Sequence, residues 1–120
     1  MFKLLIIEDE NEIAEELTEF LSLHGYKNIV CENSADAGLA QLQKEKFSHL
    51  LLDLRMPGLN GFDVLKSLEH NSHKWPKIAV ISGHATPIDE ETAKKLGAKF
   101  FFRKPTDPQE ILDSEFLSLD

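Results

Sequence analysis

Asp53 closes an apolar run, Ser48-His49-Leu50-Leu51-Leu52-Asp53, and the chain then turns through Leu54-Arg55-Met56-Pro57-Gly58. A carboxylate emerging where a hydrophobic strand meets a turn is poorly explained by packing. It can sit on a rigid element and still touch solvent. Other reactive side chains stand at similar places: Glu8-Asp9 after Leu4–Ile7, Ser82-Gly83 after Ile78–Ile81, and Lys104 after Phe100–Phe102. Brought to one edge, they make three carboxylates, a hydroxyl and an ammonium. Crowded carboxylates repel unless a cation joins them, and an all-oxygen donor set suits a hard cation. Mg2+ is favoured because it tolerates a few carboxylates, keeps waters and accepts phosphate oxygens. A phosphoryl group would complete the site, since its oxygens need a metal, a hydroxyl or backbone donor, and a fixed positive charge. Asp9, Ser82 and Lys104 supply those roles, and an aspartate can be the nucleophile, as in aspartyl-phosphate chemistry.

Singly, each residue has a plainer reading. Glu8-Asp9 could be an acidic pair complementing a helix dipole, Asp53 could cap a turn, Ser82 could be a turn hydroxyl, and Lys104 could be a solvated lysine. The elements that carry them decide the matter. Short apolar runs at Leu4–Ile7, Ile29–Cys31, Leu50–Leu52, Ile78–Ile81 and Phe100–Phe102 are continuous, as expected for strands covered on both faces. Amphipathic stretches lie between them. Ile13, Leu17, Phe20 and Leu21 recur at helical spacing before a His24-Gly25 stop. Ser34 suits the N-cap of a second helix carrying Ala35, Leu39 and Leu42. Val64, Leu65 and Leu68 mark a third helix, and Ile88 to Leu96 a fourth that stops at Gly97. A fifth runs from Pro108 onward, with Leu112, Phe116 and Leu119 on one side.

Strict alternation of five strands and five helices predicts a parallel sheet sandwiched by helices. Ligands of such sheets bind outside the carboxyl ends of the strands, at the switch in strand order. Those ends are where Glu8, Asp9, Asp53, Ser82 and Lys104 fall.

At 120 residues the chain is read as one domain, 1–120. Its net charge of -8 argues against non-specific nucleic-acid binding and against an anionic membrane surface. The single cysteine, Cys31, excludes an intrachain disulfide and is expected to be a small buried hydrophobe. No signal-peptide pattern or membrane-length apolar stretch is present, which predicts a cytoplasmic protein. His24, His49, His70 and His73 lack metal-ligand spacing and are expected at the surface or in loops. Trp75-Pro76 is expected to pack a loop before the fourth strand. The acidic run Asp89-Glu90-Glu91 is expected to open a helix.

Taken together, Ile7-Glu8-Asp9-Glu10, Leu52-Asp53-Leu54-Arg55-Met56-Pro57 with Gly61, Ile81-Ser82-Gly83, Gly97-Ala98 and Lys104-Pro105 resemble the receiver domains of two-component response regulators. The resemblance covers nearly the whole chain. It implies a flavodoxin-like three-layer (βα)5 sandwich with strand order 2-1-3-4-5. It implies that Asp53 accepts a phosphoryl group from a phosphohistidine on a sensor histidine kinase or phosphotransfer protein. Asp9 and Asp53 would bind Mg2+, with Glu8 acting mainly through a metal-bound water and the Arg55 backbone carbonyl as a further ligand. Ser82 and Lys104 would contact the phosphoryl group, and the Lys104-Pro105 bond would be cis. Ser82 and Phe101 would form the switch that remodels an output face on the fourth helix, fifth strand and fifth helix. Arg55 and His84 would tune phosphoryl lifetime. The output protein is unknown; acidic repulsion favours a monomer, with dimers conceivable on phosphorylation.

Two other function classes compete. A phosphorylation-independent interaction module could use the same fold, but such divergence usually removes the phosphoacceptor, an acidic residue or the lysine, and none is missing. A nucleotide or flavin enzyme of similar topology is disfavoured, because no Gly-x-Gly-x-x-Gly or Gly-Lys-Ser/Thr loop is present. The expected protein is thus a switch that assists its own phosphoryl transfer, not a metabolic enzyme.

Overall fold

The computed structural model describes residues 1–58, 60–69 and 76–119, with Glu69 described through its backbone alone. The five apolar runs form strands β1 (Leu4–Ile7), β2 (Ile29–Glu32), β3 (His49–Asp53), β4 (Lys77–Ser82) and β5 (Ala98–Arg103). All neighbouring strands are parallel, in the order β2-β1-β3-β4-β5. Helices α1 (Asn11–Leu23), α2 (Ala35–Lys44), α3 (Gly61–Glu69), α4 (Pro87–Lys95) and α5 (Pro108–Asp113) link or follow them. This is the flavodoxin-like (βα)5 sandwich.

Side chains alternate across a strand, so the continuous runs feed two cores. Leu5, Ile7, Leu50, Leu52 and Val80 face one layer with Val64 and Leu65 of α3 and Ala93 of α4. Leu4, Ile6, Leu51, Ala79 and Ile81 face the other, with Leu17 and Leu21 of α1 and Ile111 of α5. Both faces are filled, which is why no strand shows a polar alternation.

Local chemistry sets the helix ends. Gly25 adopts φ 96°, a left-handed conformation that releases the chain from α1. Ser34 Oγ accepts from Ala37 N at 3.2 Å and caps α2. At α4, Thr86 and Asp89 form a reciprocal capping box with Pro87 in the first turn, so the Asp89-Glu90-Glu91 run does open a helix.

Three expectations are corrected. The fifth helix stops at Asp113 instead of carrying Leu112, Phe116 and Leu119 along one face. Ser114 Oγ donates to Ile111 O at 2.7 Å and accepts from Phe116 N at 3.2 Å, turning the chain. Phe116 and Leu117 then enter the core while Leu119 is exposed. Cys31 is exposed, because β2 is an edge strand; its Sγ lies 3.1 Å from Thr18 Oγ1. His49 is buried at the start of β3, not at the surface. Its Nδ1 pairs with Ser48 Oγ at 2.6 Å and its Nε2 with Ser118 O at 2.9 Å. Burial disfavours its charged form and lowers its pKa. His24 is exposed, as expected. His70, His73 and Trp75 lie outside the described residues. No helix among the described residues is long and apolar enough to cross a membrane.

Candidate functional site

The carboxyl ends of β1, β3, β4 and β5 meet at one edge, and they deliver Glu8, Asp53, Ser82 and Lys104 together. Asp53 is the last residue of β3 and pairs in register with Ile81, one residue before Ser82. Ser82 O accepts from Lys104 N at 3.0 Å, which fixes the lysine beside β4. The Lys104-Pro105 bond is cis.

Three of these polar residues are withdrawn from water: Glu8 is 1% exposed, Ser82 1% and Asp53 2%. Lys104 Nζ holds the acids together. It donates to Asp53 Oδ2 at 3.1 Å and to Glu8 Oε2 at 3.2 Å, and lies 3.0 Å from Glu8 Oε1 as an ion pair. It also donates to Glu10 Oε1 at 3.0 Å. Glu10 is the residue that sequence reasoning left without a role; the signal was present as a third consecutive acid after β1.

Glu8, Asp9, Glu10 and Asp53 each place a carboxylate oxygen within 4.8 Å of the others. One ammonium cannot balance four carboxylates. Burial pushes Glu8 up to about 7; the Glu10 N–H and Lys104 oppose this, while the charge of Asp53 adds to it. Lys104 is also shifted upward, which in its case favours the charged form. Its burial alone would favour the neutral amine, but bonds to Glu8 and Glu10 and the charge of Asp53 outweigh that and hold its pKa above the ordinary lysine value. Ser82 Oγ is buried and has no hydrogen-bond partner, an uncommon state for a hydroxyl. The site therefore has surplus negative charge, all-oxygen donors and one unused hydroxyl. Those features fit a hard divalent cation and an oxygen-rich ligand.

The loop after β3 frames the acceptor. Arg55 N donates to Asp53 Oδ1 at 3.1 Å, and Gly61 N closes the loop onto Leu54 O at 3.0 Å. The Arg55 side chain leaves the site and bonds Asp89 Oδ2 at 2.6 Å. His84 is exposed in the loop between β4 and α4, and makes no hydrogen bond or ion pair among the described residues. Phe101 is half-buried on β5 against the first core, with the Arg103 guanidinium 5.2 Å from its ring centroid.

Known proteins share this architecture. Residues 4–114 match the response regulator receiver domain family. The chain is 33% identical over 116 residues to protein PilH of Pseudomonas aeruginosa, covering 93% of each. It is 31% identical over 112 residues to the transcriptional regulatory protein CpxR of Escherichia coli, covering 93% of this chain but 47% of CpxR. It spans only 16% of the sensory/regulatory protein RpfC of Xanthomonas campestris, at 29% identity over 115 residues and 93% of this chain. Among solved structures, the chemotaxis protein CheY4 of Vibrio cholerae superposes with a TM-score of 0.84 at 26% identity, covering 93% of both chains. A Burkholderia pseudomallei response regulator with a phosphorylated aspartic acid, a calcium ion and citrate superposes with a TM-score of 0.85 at 25% identity, over 98% of this chain and 67% of that one. The chain belongs to the response regulator receiver domain family, signalling domains that assist their own phosphorylation and dephosphorylation and turn over no metabolite.

Proposed function

We propose that the chain is a phosphorylation switch in which Asp53 accepts a phosphoryl group from a phosphohistidine on a sensor kinase or phosphotransfer protein. The observation that carries this reading is the buried Asp53 carboxylate held by Lys104 beside the unpartnered Ser82 hydroxyl. An Asp53 oxygen forms the new bond to phosphorus as the bond from phosphorus to the histidine nitrogen breaks, and the donor keeps that electron pair. Arg55 N–H on Oδ1 and Lys104 on Oδ2 fix the orientation of the carboxylate. Lys104 then pairs with a phosphoryl oxygen, and Ser82 Oγ donates to another.

The residues suited to hold Mg2+ are Asp9, Asp53 and the Arg55 carbonyl, with Glu8 acting through a bound water. When bound, the ion neutralises charge among the acids and on the phosphoryl oxygens. The phosphorylated aspartic acid and calcium ion in the Burkholderia pseudomallei regulator, a protein of the same fold, support pairing an aspartyl phosphate with a divalent cation.

Phosphorylation adds charge and acceptor oxygens at Asp53. Drawing Ser82 toward them opens space for Phe101 to move inward. The face of α4, β5 and α5 is then remodelled for an output protein, as a shift between two pre-existing states. Beryllofluoride with Mg2+, followed by residue-resolved NMR, tests the switch. Shifts at Ser82 and Phe101 that extend over α4 and β5 are expected; changes confined to residues near Asp53 would contradict it.

A further inference from the structure

Arg55 is tied to the acceptor through its backbone N–H, 3.1 Å from Asp53 Oδ1, yet its guanidinium turns away. A guanidinium is a five-donor fork matched to phosphoryl oxygens. One sited two residues from a phosphoacceptor is a natural partner for the phosphoryl group. Here its Nη2 donates to Asp89 Oδ2 at 2.6 Å, and its Cζ stands 5.9 Å from the Phe62 ring centroid. The same Asp89 Oδ2 accepts from Thr86 N at 3.0 Å, while Asp89 N donates to Thr86 Oγ1 at 3.1 Å. The carboxylate that holds Arg55 is therefore the one that caps α4.

We propose that Asp89 is a positioning residue that withholds Arg55 from a phosphoryl group on Asp53, so that the start of α4 sets how long that group persists. The proposal rests on the reading of Asp53 as phosphoacceptor. Phosphoryl loss breaks the bond between phosphorus and Asp53 as a water oxygen bonds to phosphorus, leaving carboxylate and inorganic phosphate. The water must approach in line with the breaking bond. A guanidinium can stabilise charge in the transition state; in the proposed arrangement, crowding of the in-line path by a guanidinium seated over the phosphoryl group outweighs this, so that releasing Arg55 lengthens the lifetime. The Arg55 side chain is 50% exposed and that of Asp89 17%, and ion pairs this open are weak. A partner that displaces the first turn of α4 can break this one.

The test loads the chain with acetyl phosphate and Mg2+, removes the donor and follows phosphoryl loss by intact mass. Asp89→Asn keeps an oxygen to cap α4 but removes the charge. It should lengthen the half-life about threefold, the scale of a half-exposed ion pair, and leave it unchanged when added to Arg55→Gln. A second readout needs neither metal nor phosphoryl group. The Asp89 carboxyl, held below the ordinary aspartate range first by the Thr86 N–H and further by Arg55, should titrate at higher pH in Arg55→Gln. An unchanged or shortened half-life, an equal effect in both backgrounds, or an Asp89 titration indifferent to Arg55 would overturn the proposal. A wild-type chain that takes up no phosphoryl group overturns the reading of Asp53 itself, and this proposal with it.

Discussion

Gly61 packs so closely behind Asp53 that a Cβ at position 61 would stand 2.7 Å from the Asp53 carbonyl oxygen and 2.7 Å from Leu54 Cα. Both atoms are backbone, so neither can rotate away. Gly61→Ala should therefore displace the acceptor loop and destabilise the fold by about 1–3 kcal/mol, the usual cost of overpacking. Urea unfolding measures this, and a slower phosphorylation rate should accompany it. An alanine variant with wild-type stability would show that the loop is looser than this contact requires.

Ser82→Ala separates binding from folding. The Ser82 hydroxyl is buried and makes no hydrogen bond, so its removal costs no internal bond. The variant should match the wild type in urea unfolding or gain up to about 1 kcal/mol, while phosphorylation by acetyl phosphate slows. A marked loss of stability would mean that the hydroxyl serves the fold rather than the ligand.

Glu8 gives the site a pH signature. Its pKa is pushed from 4.5 to about 7 by burial, so between those values the folded chain holds a proton that the unfolded chain has released. Its contribution to stability is fully present below about 4.5 and is lost as pH rises through about 7. A cation favours the ionised carboxylate, so Mg2+ should stabilise the fold more above about 7 than below it, releasing a proton on binding. Thermal melts with and without Mg2+ across this range check the sign. Glu8→Gln should flatten the part of the dependence that belongs to this group.

Much of the fold was legible because strand burial on both faces leaves a direct trace: Leu4–Ile7 and Leu50–Leu52 are unbroken apolar runs. The reactive residues were legible because a parallel sheet collects its strand ends at one edge, so Glu8, Asp53, Ser82 and Lys104 follow from topology. Three features were not. The turn after Asp113 depends on Ser114 hydrogen bonding to its own backbone, which the Leu112–Phe116–Leu119 spacing conceals. The exposure of Cys31 depends on β2 lying at the sheet edge. The Arg55–Asp89 contact joins the loop after β3 to the first turn of α4, 34 residues further on, and no local pattern announces it.

The C-terminal turn can be probed directly. Phe116 is fully buried and Leu119 is 62% exposed. Phe116→Ala should cost about 3–5 kcal/mol, and Leu119→Ala should fall within about 0.5 kcal/mol of the wild type. Comparable losses in urea unfolding would indicate the continuous amphipathic helix that the spacing alone suggests.

The most direct measurement is intact mass after incubation with acetyl phosphate and Mg2+, for the wild type and for Asp53→Asn. The wild type should gain one phosphoryl group, labile to alkali as an acyl phosphate is, and Asp53→Asn should gain none. A wild-type chain that remains unmodified with a competent phosphodonor, or an Asp53→Asn chain modified equally well, would contradict the assignment of Asp53 as the phosphoacceptor.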